Sequence, residues 1–161
     1  MSKIVQGHDW GVLMPLFLED DQMCYACGRH NPQGLKINFE HPKKGTLKAA
    51  VVFSKHHQGF KNIVHGGMMA LVLDEIMVNL AWREGIPAMT GELFVRLKKA
   101  AKIGQKVHLE GHLEDGGEGK RVFYAAATAK NDSGELLASA KATCIRIKDQ
   151  DIKLEAPSKS S

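Results

Sequence analysis

The sequence predicts an α+β fold in which an antiparallel sheet of about six strands wraps around one long central helix. Three observations carry this. The segment from Gly66 to Arg83 or Glu84 is nearly all apolar through Leu80, and it stops at Gly85-Ile86-Pro87, where glycine suits a left-handed cap and proline cannot continue the ladder. Segments of alternating apolar and polar residues flank it, two before and four after. Finally, six strands cannot leave both faces in water and a helix apolar on most sides cannot stay exposed, so the sheet must curl over the helix.

In chain order, Trp10, Leu13, Met14 and Leu16 to Leu18 give the stretch from about Asp9 to Asp21 one apolar side, expected to form a short helix over one sheet end. Cys24 to Gly34 is dense in turn formers and reads as a loop. Leu35, Ile37 and Phe39 alternate with Lys36, Asn38 and Glu40 as a half-buried strand, followed by a turn over His41 to Gly45 and a second strand from Thr46 to Phe53. A loop from Ser54 to Ile63 delivers the chain to the helix. Four strands follow, at Ala88 to Leu97, Lys106 to Glu114, Arg121 to Lys130 and Leu136 to Ile147, with turns marked by Gly104, Asp115 to Gly119 and Asn131 to Gly134. The expected organisation is an N-terminal segment over residues 1–22, one domain over 23–148 and a polar tail over 149–161.

At 161 residues, with 43% hydrophobic and 25% charged content, the chain matches one ordinary globular core. Its net charge of +4 is scattered, which favours an anionic small ligand weakly and nucleic acid hardly at all, and with no RNA- or DNA-binding motif no nucleic-acid partner is expected. No stretch approaches the roughly 18 apolar residues of a membrane span. The run Val12 to Leu18, broken by Pro15, is too short for a signal peptide, and three cysteines do not suggest a disulfide framework. A cytoplasmic protein is expected.

The chemistry centres on His65-Gly66-Gly67 and Asp74-Glu75. The first amides of a helix lack internal partners, and the helix dipole adds positive charge there. Gly66 and Gly67 leave those donors unshielded, so a carbonyl oxygen can approach and be stabilised as an oxyanion, although the pair equally suits a tight turn. Seven residues separate Gly67 from Asp74, about 700° and about 10 Å, which is the same face but a different level. One helix cannot bring both to one carbon. A second copy packed antiparallel across a two-fold axis can, so a homodimer, or a dimer of dimers, with sites at the interface is expected. A carboxylate in apolar surroundings can act as general base for water or attack a carbonyl itself. Glu75 is expected to bond a cation or backbone group at the subunit contact beside the substrate.

His65-Gly66-Gly67, six residues, then Asp74-Glu75 resembles the signature of PaaI-like acyl-CoA thioesterases of the hotdog superfamily. Cys24-x2-Cys27-Gly28-x2-Asn31-Pro32-x-Gly34-Leu35 resembles an N-terminal pattern in part of that family, and His57-Gln58-Gly59 its pre-helix loop. The resemblance covers Cys24 to Ile147 and implies a hotdog fold and hydrolysis of an acyl-CoA to a free acid and CoA, with no cofactor required. It implies Asp74 as nucleophile or general base, the amide of Gly67 or Gly66 as oxyanion donor, His65 as loop brace or thioester contact, and Thr90 as an aid in orienting water. Asn62 lies near the position of a polar amide found in some relatives, out of clear register.

Lys98 and Lys99, with Lys102 and Arg121, are candidates for the CoA phosphates, or a solvated basic edge. Met68 is core packing or acyl-channel lining. Cys24, Cys27 and His30 form C-x2-C-x2-H, half of a zinc set that His56 or His57 could complete. Reduced structural cysteines are the favoured reading; a metal there would staple the loop, and none is expected in catalysis. Two other functions compete: an acyl-CoA-binding module without turnover, and a zinc-stapled interaction domain.

Overall fold

The computed structural model describes residues 20–115, 117 and 119–147. The expected N-terminal helix falls almost wholly, and the polar tail wholly, outside them. The elements run β1 (Phe39–Lys43), β2 (Thr46–Val52), a one-turn 3-10 helix (Lys55–His57), α1 (Gly66–Arg83), β3 (Ala88–Leu97), β4 (Lys106–Leu113), β5 (Val122–Lys130) and β6 (Leu136–Arg146). The six strands form one sheet in the order β1-β2-β4-β5-β6-β3, with every neighbouring pair antiparallel.

Met69, Val72, Leu73, Ile76, Met77, Leu80 and Ala81 recur at three- and four-residue spacing along α1 and are all buried. Alternate residues of the strands meet them, among them Leu47, Leu109, Phe123, Ala125, Ala140 and Ala142. The helix ends as its sequence demands. Gly85 takes φ +76°, its amide donates to the Trp82 carbonyl, and the Ile86 amide donates to Ala81, which together cap the last turn.

The first strand departs from the reading of its alternation. It begins at Phe39 rather than Leu35 and runs through the predicted turn, leaving only Lys44 and Gly45 to reverse the chain. Leu35 and Ile37 instead donate their amides to the carbonyls of Tyr25 and Ala26, with Lys36 between them at φ +52°. Their backbone pairs with the cysteine loop instead of a strand, while Ile37 is buried in the core and Leu35 packs against it.

Candidate active site

The turn entering α1 is held by its own backbone. The His65 amide donates to the His57 carbonyl, Gly59 to Ile63, and Val64 to Ala101, each at 2.9 Å. Gly59 packs so closely that a Cβ there would lie 3.3 Å from the His65 Cα and ring. Asn62 sits at the exposed tip in the left-handed region, φ +62°, with its amide donating to Gln58 Oε1 and its carbonyl accepting from Ile103. It shapes the turn.

The two glycines are not equivalent. His65 caps the helix: its Nδ1 accepts the Gly67 amide at 2.8 Å, which places the ring proton on Nε2. Its carbonyl accepts the amides of Met68 and Met69. The Gly66 amide has no partner among the described residues, so it is the donor available to a ligand. Leu97 of β3 packs against Gly66, where a Cβ would come 2.7 Å from Leu97 Cδ1. Met68 is half-buried against the core. Lys98 and Lys99 both donate their amides to Leu137; the Lys99 side chain pairs with Glu135 at 2.5 Å, while Lys98 is exposed beside Leu97.

Two turns down the helix, Asp74 is half-buried and accepts a 2.5 Å hydrogen bond at Oδ1 from Thr90 Oγ1. A break in register between Thr90 and Glu92 places Gly91 in a bulge, where a Cβ would meet Ile145 Cδ1 at 2.6 Å. A bulge re-aims the neighbouring side chain, here Thr90. Cys144, paired with Thr90 on β6, is buried near Asp74; burial first and then the Asp74 charge push its thiol up to about 11. Sequence reasoning did not place Cys144, Leu97 or the Gly91 bulge at the site.

Glu75, one residue on, points elsewhere. Its Oε1 accepts from Asn79 Nδ2 at 2.9 Å and from the Cys24 thiol at 3.6 Å, so it engages the N-terminal loop. Burial, then the Glu75 charge, drive the Cys27 thiol far up. Asn79, four residues after Glu75, is the one partner that helical spacing could have revealed.

The structure therefore joins Asp74 to Thr90 and Gly66 to Leu97, and keeps the two pairs apart. Eight residues of unbroken helix separate Gly66 from Asp74, about 12 Å. A surface hollow of about 420 Å³, lined by Glu92, Phe94, Glu114, Tyr124 and Thr143 among others, contains neither group.

No family model matches the chain. A protein of Archaeoglobus fulgidus, named provisionally as an esterase, is 27% identical over 107 residues, 66% of this chain and 68% of its own. Among solved structures, a thioesterase superfamily protein superposes with a TM-score of 0.72 at 22% identity, covering 77% of this chain and 60% of its own. A hypothetical thioesterase from Streptococcus pneumoniae TIGR4, solved with coenzyme A, gives 0.64 at 16% identity over 69% and 85% of the two chains. The Escherichia coli PaaI protein from the phenylacetic acid degradation operon gives 0.64 at 13% identity over 70% and 84%. Sheet order, central helix and these likenesses agree on the fold.

Proposed function

Proceeding from the hotdog fold that this chain shares with thioesterase superfamily and PaaI structures, we propose that it hydrolyses an acyl-CoA thioester to the free acid and CoA at sites built across a homodimer interface. The observation that carries this reading is an oriented carboxylate, Asp74 on Thr90, together with an available helix-terminal amide, Gly66, on residues that one chain separates by about 12 Å of helix rise.

A second copy closes the gap. β3 pairs only with β6, and its other edge is open among the described residues. If two such edges pair antiparallel about Phe94, the Gly91 bulge brings Thr90 of one copy opposite the partner's Leu97. Asp74 then faces the partner's Gly66. Met89, Phe94 and Leu97, exposed at 63%, 62% and 55% in the single chain, would be covered.

In that site the thioester carbonyl oxygen accepts the Gly66 amide, reinforced by the helix dipole. Thr90 occupies Oδ1 of Asp74, leaving Oδ2 to take a proton from water as its oxygen attacks the carbonyl carbon. The tetrahedral oxyanion rests on the Gly66 amide and then collapses. The C–S bond breaks, and the CoA thiolate recovers the proton from Asp74. Lys98, exposed beside the Gly66 end, suits a CoA phosphate better than Lys99, which is engaged with Glu135. Carboxylate, amide and water supply every part, so no cofactor is needed. The scattered positive charge and the CoA carried by a structural neighbour support the substrate class.

The test is thiol release from short, medium, long and aromatic acyl-CoAs by the native protein and by Asp74→Asn. Turnover of at least one class is expected, reduced by about 10²–10⁴-fold in the variant. No turnover of any class, or equal turnover by both proteins, contradicts the assignment.

A further inference from the structure

We infer that the Cys24–Cys27 turn and Glu75 of α1 form a zinc-binding staple, with the two Sγ atoms and a Glu75 carboxylate oxygen as ligands and water in the fourth position. This stands independently of the hydrolysis proposed above and takes no part in it. The cysteine spacing alone points to His30, with His56 or His57, as the remaining ligands. The fold brings a carboxylate instead. His57 is committed to the one-turn helix, with Nδ1 against the amide and hydroxyl of Ser54, and its ring packs on Phe53.

The geometry fits the ion. One ligand atom from each of Cys24, Cys27 and Glu75 lies within 4.8 Å of the other two, and Cys24 Sγ is 3.6 Å from Glu75 Oε1. Tetrahedral zinc, with bonds of about 2.3 Å to sulfur and about 2.0–2.2 Å to a carboxylate oxygen, would set that separation at about 3.5–3.7 Å. The turn is fixed before any ion arrives. The Gly28 amide donates to the Cys24 carbonyl at 2.8 Å, and a Cβ at Gly28 would lie 2.4–2.5 Å from backbone atoms of Gln22 and Cys24. Only glycine permits a wrap that tight.

The surroundings also fit. Asn79 donates to Glu75 Oε1 and so orients the carboxylate, the outer-shell support that metal ligands commonly receive. Soft sulfur donors with one oxygen favour zinc over calcium or magnesium. A redox pair of cysteines would give no role to Glu75 or Asn79.

The test is titration of the reduced full chain with Co²⁺ as a spectroscopic probe, followed by displacement with Zn²⁺. One equivalent should bind with thiolate-to-cobalt charge-transfer absorption and raise the melting temperature. Cys24→Ser, at an exposed position, should abolish that absorption while keeping the metal-free melting temperature of the native protein. Glu75→Gln should weaken binding at least tenfold, and His30→Ala should leave it unchanged. Absence of charge-transfer absorption at one equivalent, native affinity in Glu75→Gln, or loss of binding in His30→Ala each overturns the assignment.

Discussion

The two edges of the sheet are built on opposite plans. β1 is five residues long, carries Glu40, Pro42 and Lys43, and breaks register with β2 between Glu40 and Lys43. Its hairpin is tied to the end of α1 by Glu84, which accepts from His41 and from the Gly45 amide. Short length, proline, charge and irregularity are the devices that keep a free edge from pairing. β3 is ten residues long, with Leu93, Val95 and Leu97 toward the helix side and the exposed apolar Met89 and Phe94 outside, between Glu92 and Arg96. β1 is made to stay single. β3 leaves large apolar side chains exposed, and its helix side carries Thr90 at one end and Leu97 at the other, the two residues that touch the two halves of the proposed site.

Giving β3 the character of β1 should have the largest effect. Phe94→Lys places a charge at the middle of the open edge without disturbing the core. We expect monomers by light scattering and loss of nearly all thioester turnover, because each site would lose one of its halves; a dimer of native activity would show that β3 is not the contact. Thr90→Val keeps the strand and removes only the hydroxyl on Asp74. A fall in kcat of roughly tenfold with the dimer intact is expected, in line with losing one hydrogen bond of about 1.5 kcal/mol to a charged group. The smallest effect is expected at the other edge. Pro42→Thr should change neither oligomeric state nor turnover by more than about twofold, since one relaxed device leaves charge and irregularity in place. A new assembly through β1 would show that proline alone protects it.

Much of this was legible in the residues, and the remainder failed for identifiable reasons. The helix bounds follow from local chemistry: Gly85 must take positive φ, and Pro87 forbids continuation. The hydrogen bond between Thr90 and Asp74 joins two residues singled out separately in the sequence, Asp74 within the pattern from His65 to Glu75 and Thr90 by its place at the start of the strand after the helix. The first strand was misplaced because a two-residue period reports that a segment has two faces, not what it pairs with. Leu35 and Ile37 turn their side chains to the core while their amides pair with the cysteine loop. Gly66 and Gly67 looked interchangeable because the His65 cap depends on a ring rotamer that spacing does not encode. Cys24 and Glu75 lie 51 residues apart, and only the folded chain brings them together.

The central claim is that Asp74 and Gly66 act in one site but come from different chains. Asp74→Asn and Gly66→Pro test it when combined. Proline is well tolerated at the first helical position, where it removes the amide donor and asks only the flexible end of the Leu97 side chain, 2.7 Å from the new Cβ, to shift. Each variant alone should lose activity by about 10²-fold or more. After subunit exchange at equal amounts, half of the dimers are mixed, and each mixed dimer has one site with both groups intact. Recovery of about a quarter of native turnover is the predicted result. Activity no greater than the average of the two variants measured separately would place both groups in sites formed by a single chain and contradict the account.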